Sequence, residues 1–198
     1  MTDYESELKD SFWTVLREGG ATYGGGGRLA QTYERLSSRL RELDVDHALV
    51  GGYALILHGV RRFTEDVDLL VTREGLEKLR SELIGAGYTS IPGNQRDIRD
   101  PETGVRIEFV VSGDFPGDGK AKPVSFPVPA DVCEEREGVC VVALETLIEL
   151  KLASGMTAKG RLQDLADVQR LIQQHHLTGD FSDRLDPYVR QKFRELIE

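Results

Sequence analysis

The chain lacks several features that would place it in a membrane-bound or secreted class. None of its apolar runs approaches the length of a membrane-spanning helix. Its first ten residues, MTDYESELKD, are acidic and contain no apolar signal-peptide core. No internal repeat is visible. Apolar residues make up 39% of the 198 residues and charged residues 30%. These values are typical of a soluble globular protein, so we expect one cytoplasmic domain, residues 1–198, without membrane contact.

Cysteine is scarce, which limits the metal sites and crosslinks that the chain can form. Only Cys133 and Cys140 are present, with six residues between them. This spacing is neither that of a close metal-binding pair nor that of a disulfide framework. We therefore expect Cys140, within VCVVAL, to pack as a small apolar group.

Basic charge is in deficit, with 25 Lys and Arg against 34 Asp and Glu and a net charge of -9. This balance argues against broad electrostatic binding to nucleic acid, although a local basic patch is compatible with it. An acidic protein that handles nucleotides must neutralise phosphate charge locally, usually with a divalent cation. The glycine-rich stretch 19–27 lacks the Lys-Ser/Thr pair of a P-loop, so it predicts a linker or packing turn.

Apolar periodicity predicts a mixture of helices and short strands. Predicted helices cover 4–18, 28–43, 53–59, 73–87, 143–154, 161–176 and 183–198, and predicted strands cover 46–50, 66–71 and 105–111. Because βαβ units do not alternate regularly, the pattern indicates an α+β or irregular α/β fold. The polar, proline-containing segment 112–138 should be mostly irregular, with an edge strand at most, and could cover a site as a lid.

Two aspartates lie at the start of the apolar strand DVDLLV. Side chains alternate between the faces of a strand, so Asp66 and Asp68 share one face while Val67, Leu69 and Val71 point into the core. Paired carboxylates suit a hard cation such as Mg²⁺. The spacing alone leaves an alternative equally open, in which both acids are solvated or paired with nearby arginines.

Glycines and a third acid extend this pattern. Gly51 and Gly52 precede a predicted helix, where they would let a phosphate approach free N–H groups, or would simply form a tight turn. Glu108 lies on the strand 105–111, in which Val105, Ile107 and Phe109 point into the core. If that strand pairs with DVDLLV, three acids converge and a metal is the natural compensation. Alone, Glu108 would be an exposed strand residue.

Charged residues also interrupt the apolar stripes of the C-terminal helices. Lys151 and Asp164 both fall on apolar faces, where a charge needs a partner. They could bond to each other, Lys151 could reach a phosphate, or its head could snorkel to solvent. Arg61 or Arg62 could face a nucleotide. Arg161 could be a further phosphate contact, or an ordinary surface arginine.

In combination, these motifs resemble the DNA polymerase β-like nucleotidyltransferase superfamily. Gly-Gly, thirteen intervening residues, Asp-apolar-Asp-apolar and a later strand acid carry the resemblance. The similarity is greater to AbiEii-type nucleotidyltransferases, many of which are toxins of toxin–antitoxin pairs, and it extends to the Lys, Arg and DLxD pattern in KLASGMTAKGRLQDLAD. It implies an α+β fold with a small mixed β-sheet flanked by helices, a nucleotidyltransferase core at 28–142 and a helical part at 143–198.

The resemblance also implies an activity and its residues. The chain would move an NMP from an NTP to a hydroxyl of RNA, protein or a small molecule, and a cognate antitoxin would be a partner. The metal ligands would be Asp66, Asp68 and Glu108, with Glu108 helping to deprotonate the attacking hydroxyl. The residues in contact with the nucleotide would be Gly51, Gly52, Arg62, Lys151 and Arg161, and Lys151 would also belong to the catalytic set.

Two other functions remain open at this point. One is a non-catalytic nucleotide-binding or partner-binding member of the same fold, which would retain all three acids. The other is a glycosyltransferase that holds a nucleotide diphosphate through D-x-D and a metal. The Gly-Gly pair and the short chain count against the glycosyltransferase.

Overall fold

A computed structural model describes Tyr4, residues 27–136 and residues 138–197. The predicted helix at 4–18, beyond Tyr4, and the glycine-rich residues 19–26 lie outside the described residues.

One mixed sheet of seven strands, in the order β3-β4-β5-β2-β1-β7-β6, organises the described residues. Its strands are β1 His47–Leu49, β2 Asp66–Val71, β3 Thr89–Ile91, β4 Asn94–Arg99, β5 Arg106–Val111, β6 Cys133–Arg136 and β7 Val139–Val142. Strand β2 pairs antiparallel to β1 and parallel to β5. The neighbouring β2 and β5 thus run in the same direction, so residues at their N-terminal ends lie side by side.

Seven α-helices and one 3₁₀ helix accompany the sheet in the described part of the chain. They are α1 Gly27–Glu42, α2 Gly51–Leu57, α3 Arg73–Leu83, α4 Pro129–Val132, α5 Leu144–Thr157, α6 Leu162–His175, the 3₁₀ helix Gly179–Arg184 and α7 Pro187–Ile197. The Thr72 hydroxyl caps α3 by accepting a bond from the Gly75 N–H. Helix α6 ends at His175 and is followed by His176, which adopts the left-handed conformation found at many helix ends.

The alternation predicted for the two central strands is confirmed. The apolar residues assigned to the core, namely Val67, Leu69, Val71, Ile107 and Phe109, are at most 2% exposed. Apolar burial of this kind is the main stabilising term of a fold. It also fixes the register, because a slip of one residue would turn every apolar side chain outward. The acids at the intervening positions are thereby held on the opposite face.

The C-terminal helices pack on one another. Helix α5 contacts both α6 and α7, and α7 also contacts α6. The rings of Phe181 and Phe193 lie 5.5 Å apart between the 3₁₀ helix and α7. No helix of the described residues is long and apolar enough to cross a bilayer. A small mixed sheet flanked by helices and followed by a helical segment confirms the predicted fold class.

Some local expectations differ from the structure. Strands β3, β4 and β7 were not predicted, and α2 begins at Gly51 rather than after the glycines. The edge strand expected in 112–138 is β6, and residues 112–128 contain no helix or strand. The expectation that the cysteines form no disulfide is wrong: Cys133 and Cys140 are bonded across the β6–β7 hairpin, with Cα atoms 5.4 Å apart. The antiparallel hairpin folds β7 back along β6 and so brings the two cysteines together.

Candidate active site

Three carboxylates converge where β2 and β5 run side by side. In the parallel register, Asp66 lies opposite Arg106 and Asp68 lies opposite Glu108. One oxygen from each of the three acids lies within 4.8 Å of the others, and all three side chains are partly buried. The pairing of the two strands on which this arrangement depends is therefore confirmed. A set of carboxylate oxygens at this separation has the chemistry of a site for a hard divalent cation.

The electrostatics of Asp68 support that fit. Burial, followed by the negative charges of Asp66 and Glu108, raises the pKa of Asp68 to about 8. The Gly52 N–H, which donates to Asp68 Oδ2 at 3.2 Å, and the charge of Lys151 oppose the shift. Without a cation, the cluster does not hold all three negative charges at neutral pH. A bound divalent cation would supply the missing compensation.

The Gly-Gly pair is explained by two close approaches to neighbouring side chains. Gly51 has φ +63°, and a Cβ there would lie 1.9 Å from Asp68 Oδ2. A Cβ on Gly52 would lie 2.4 Å from Thr64 Oγ1, the hydroxyl that donates to Asp66 Oδ1 at 3.0 Å. Any larger residue would displace a side chain of the acid cluster. The first turn of α2 therefore contacts the acids directly, and phosphate binding by the glycines stays a prediction.

Glu108 is held by an arginine two residues earlier on the same strand. Arg106 Nη2 donates to Glu108 Oε2 at 2.8 Å, and the same guanidinium also pairs with Asp97 on β4. Burial raises the pKa of Glu108, Arg106 opposes the rise, and the charges of Asp97 and Asp66 add to it. Sequence reasoning missed Asp97, because β4 is polar and shows no alternation.

A cavity of about 210 Å³ opens over the acid cluster. It lies between the sheet, the start of α2, helix α5 and the irregular segment 112–128. All eight predicted site residues line it: Gly51, Gly52, Arg62, Asp66, Asp68, Glu108, Lys151 and Arg161. The structure therefore brings them around one space, and the individual role of each residue stays a prediction.

Lys151 is bonded to two acids at the wall of this cavity. Its Nζ donates to Asp164 Oδ1 and to Asp167 Oδ2, each at 2.9 Å. Ser154 Oγ adds a bond of 2.7 Å to Asp164 Oδ2. Snorkelling is excluded because Lys151 is only 6% exposed and its ammonium group is bonded inside the protein. Asp167, which is fully buried, was missed although it lies three residues after Asp164 on the same helix face.

The same ionic network includes Arg62. Its Nη1 lies 3.1 Å from Asp167 Oδ2, while Arg161 lines the cavity from an exposed position. Burial alone would raise the pKa of Asp164, but Lys151 and the Ser154 hydroxyl bring it below its ordinary value. Asp164 is therefore a stable anion, and the cavity that contains the acid cluster is also lined by Arg62, Lys151 and Arg161.

The proline-containing segment forms one wall of the cavity, as expected for a cover. Pro116, Gly117 and Phe126 line the cavity. Gly117 packs so closely against α5 that a Cβ would lie 2.3 Å from Thr157 Oγ1. Segment 112–128 thus rests on the helix that carries Lys151.

A family model described as "Nucleotidyl transferase AbiEii toxin, Type IV TA system" matches residues 36–198. The chain belongs to this family. The match includes the glycine pair, the acid cluster and the C-terminal helices, and it makes the chain a nucleotidyltransferase rather than a D-x-D glycosyltransferase. The predicted resemblance is confirmed. Among curated protein sequences, none matches the chain.

Several solved structures are similar to this AbiEii family member. ANT(2'')-Ia in complex with adenylyl-2''-tobramycin is 13% identical, with a TM-score of 0.56 over 85% of this chain and 98% of that chain. An antigenic nucleotidyltransferase-like protein from Paracoccidioides brasiliensis is 17% identical, with a TM-score of 0.46 over 72% of this chain and 74% of that one. JHP933 from Helicobacter pylori is 19% identical, with a TM-score of 0.44 over 78% and 71%. The first of these establishes a nucleotidyltransferase fold.

The raised pKa of Asp68 predicts a pH-dependent stability of the metal-free AbiEii protein. The pKa rises from 3.8 to about 8 on folding, so the folded state binds the proton more tightly than the unfolded state. The contribution of Asp68 to the free energy of unfolding should therefore fall as pH rises from about 4 to about 8. Asp68→Asn should flatten this fall and raise Tm at pH 8 by a few degrees, since ~1 kcal/mol corresponds to roughly 2–4 °C in a chain of this size.

Thermal unfolding in EDTA between pH 5 and pH 9 checks this expectation. Asp46→Asn, which removes an exposed acid far from the cluster, is the control for loss of a surface charge. If Asp68→Asn and wild type lose stability equally as pH rises, Asp68 does not carry the effect.

The buried partners of Lys151 predict a large cost for removing its charge. Lys151→Met keeps an apolar stem of similar length but leaves Asp164 and Asp167 without their ammonium partner. Breaking a buried pair from one side typically costs ~3–5 kcal/mol, which urea unfolding would measure. Lys159→Met, the same substitution at an exposed lysine, should cost under ~0.5 kcal/mol. Equal losses in the two variants would show that the buried pairing does not stabilise the fold.

Proposed function

We propose that this AbiEii family member moves an NMP from an NTP to an acceptor hydroxyl with Mg²⁺ as its cofactor. The observation that carries the proposal is the convergence of Asp66, Asp68 and Glu108 within 4.8 Å, at one wall of a cavity that basic residues also line. Acids and basic side chains around one cavity are complementary to a nucleotide that is bound together with a divalent cation. The acids would bind the cation, and the basic side chains would bind the phosphates.

The three acids would have different roles, according to the strand on which each of them lies. When bound, Mg²⁺ would neutralise phosphate charge and stabilise the attacking and leaving oxygens of an in-line displacement. Asp66 and Asp68 are neighbours on one strand and would hold the nucleotide on the cation. Glu108 comes from a different strand and would serve the acceptor side, where a carboxylate with a raised pKa is suited to take the proton of the attacking hydroxyl.

Basic residues would position the triphosphate. Arg62 and Arg161 line the cavity with at least part of their surface exposed, so both can contact phosphate. Lys151 uses two of its three N–H donors on Asp164 and Asp167, which leaves one for a phosphate oxygen. Gly51 and Gly52 would bring the first turn of α2 close to the same phosphates.

The acceptor is proposed only as a class: a hydroxyl of RNA, of a protein or of a small molecule. The similar structure of ANT(2'')-Ia contains adenylyl-2''-tobramycin, which supports a small-molecule hydroxyl. The family description supports a toxin with a cognate antitoxin, acting in the cytoplasm. The net charge of -9 disfavours RNA unless Arg62, Arg161 or a partner supplies local contacts.

Transfer of label from the α-phosphate would test the proposal. Each α-labelled NTP is mixed with the protein, Mg²⁺ and a cell extract, and label is followed into macromolecules and small products, with NTP binding measured in parallel. Asp66→Asn should abolish Mg²⁺-dependent NTP binding. Glu108→Gln should leave NTP affinity within a few-fold while lowering transfer by roughly a hundredfold, the usual scale for a positioned base.

Glu74→Gln, an exposed acid on α3, is the control and should behave as wild type. Loss of NTP binding in Glu108→Gln would move Glu108 to the nucleotide cation. Unchanged transfer would remove it from the reaction. Wild-type protein that binds NTP and Mg²⁺ but transfers no label would favour the non-catalytic alternative.

A further inference from the structure

A buried aspartate lies on β4, the strand that neighbours β5 and its Glu108. Asp97 on β4 is 2% exposed, and one of its oxygens, Oδ2, accepts bonds from Arg106 Nε at 2.8 Å and from Asn94 Nδ2 at 2.5 Å. Arg106 Nη2 also lies 2.6 Å from the same oxygen. A carboxylate is costly to bury unless it is paired, and these contacts supply the pairing. What needs an explanation is why an acid is buried at this position.

The contacts form a line of three charges across the sheet. Strand β4 pairs antiparallel with β5, and β5 pairs parallel with β2. Asp97 therefore contacts Arg106 from the outer side, while the same guanidinium donates to Glu108 Oε2 at 2.8 Å on the inner side. Among the described residues, Asp97 bonds to Arg106 and Asn94 and not to the three acids, so it acts on Glu108 through Arg106 and, more weakly, by direct repulsion between the two negative charges.

An arginine in this place has two opposing effects on a cation site. Its bond to Glu108 orients the carboxylate, which favours binding. Its permanent charge also competes with a cation for the same carboxylate, because a guanidinium does not deprotonate in proteins. Asp97 carries the opposite charge, and its contact with Arg106 Nη2, at 2.6 Å, is slightly shorter than the 2.8 Å contact of Glu108. Asp97 thus balances the positive charge of Arg106, while the bond from Arg106 that orients Glu108 is kept.

We infer that Asp97 is a positioning residue: it holds Arg106 and balances its charge, so that Glu108 stays oriented and available to a divalent cation. The inference rests on the proposed function, since it assumes a cation at the acid cluster. It assigns Asp97 no contact with substrate. It explains why an acid is buried in a strand in which all the other residues except Ile98 are polar.

Binding of Mn²⁺ to the whole protein without NTP tests the inference, with free Mn²⁺ followed by electron paramagnetic resonance. Asp97→Asn is nearly isosteric and leaves Arg106 as an unbalanced cation beside Glu108. It should weaken Mn²⁺ binding by about tenfold or more, the usual range for residues that support metal ligands. Asp97→Asn/Arg106→Gln removes both charges, and it should restore the affinity to within about threefold of wild type, because no competing cation remains.

Arg106→Gln gives a second measure that does not depend on the folding of Asp97→Asn. It removes the competing cation, keeps an N–H donor that can bond to Glu108 and leaves Asp97, so Mn²⁺ should bind more tightly than to wild type. A purely structural role for Asp97 predicts lower stability, unchanged Mn²⁺ affinity of the folded protein and no rescue in the double variant. That result, or unchanged affinity in Arg106→Gln, would overturn the inference.

Asp66→Asn separates this inference from the proposed function. If wild type binds Mn²⁺, Asp66→Asn does not, and the Asp97 and Arg106 variants match wild type, only the role of Asp97 fails. If wild type does not bind Mn²⁺, or Asp66→Asn binds it equally well, the cation site itself is overturned together with the role of Asp97.

Discussion

Mutual repulsion of three carboxylates is the constraint around which this part of the molecule is built. Parallel pairing of β2 with β5 brings Asp66, Asp68 and Glu108 within 4.8 Å, and burial of the apolar side chains on the other face keeps them there. The neighbouring groups partly compensate for the charge: a backbone N–H from Gly52 and a guanidinium from Arg106 both donate to the acids. The pKa of Asp68, about 8, shows that this compensation is incomplete without a cation.

The C-terminal helical part supplies positive charge to the same cavity through a network of buried ion pairs. Lys151 lies on a largely apolar helix, and its charge is tolerated because Asp164 and Asp167 on α6 bond to it. Asp167 also pairs with Arg62, which comes from the segment before β2. Buried pairs are weak evidence for stability but strong constraints on geometry. The network therefore sets where α5 and α6 lie relative to the acids, and it keeps cationic groups at the cavity wall.

Much of the fold and site could be predicted because they follow from local periodicity. The alternation in DVDLLV and RIEFVV assigns the acids to one face, and Lys151 on an apolar stripe requires a partner. The rest depends on tertiary pairing. Strand β4 is polar and short, so nothing local marks Asp97 as buried. The Gly-Gly pair suggested a close approach, but the approaching groups are the side chains of Asp68 and Thr64, which lie more than ten residues away in the chain. The disulfide likewise depends on a hairpin with weak sequence signals.

Net charge is a poor guide to this cavity, because charge is separated within it. The chain carries -9, yet the lining of the cavity contains Arg62, Lys151 and Arg161 as well as the acids. A nucleotide with its cation would neutralise both the acids and the basic residues. The cation alone would neutralise only the acids, and the nucleotide alone would neutralise only the basic residues. Binding of the pair would then relieve the repulsion that the three acids impose on the fold. Because a ligand that binds only the folded state stabilises it, cation and nucleotide should increase stability as well as complete the site. Under the proposed function, relief of this repulsion would contribute to the affinity for the cation.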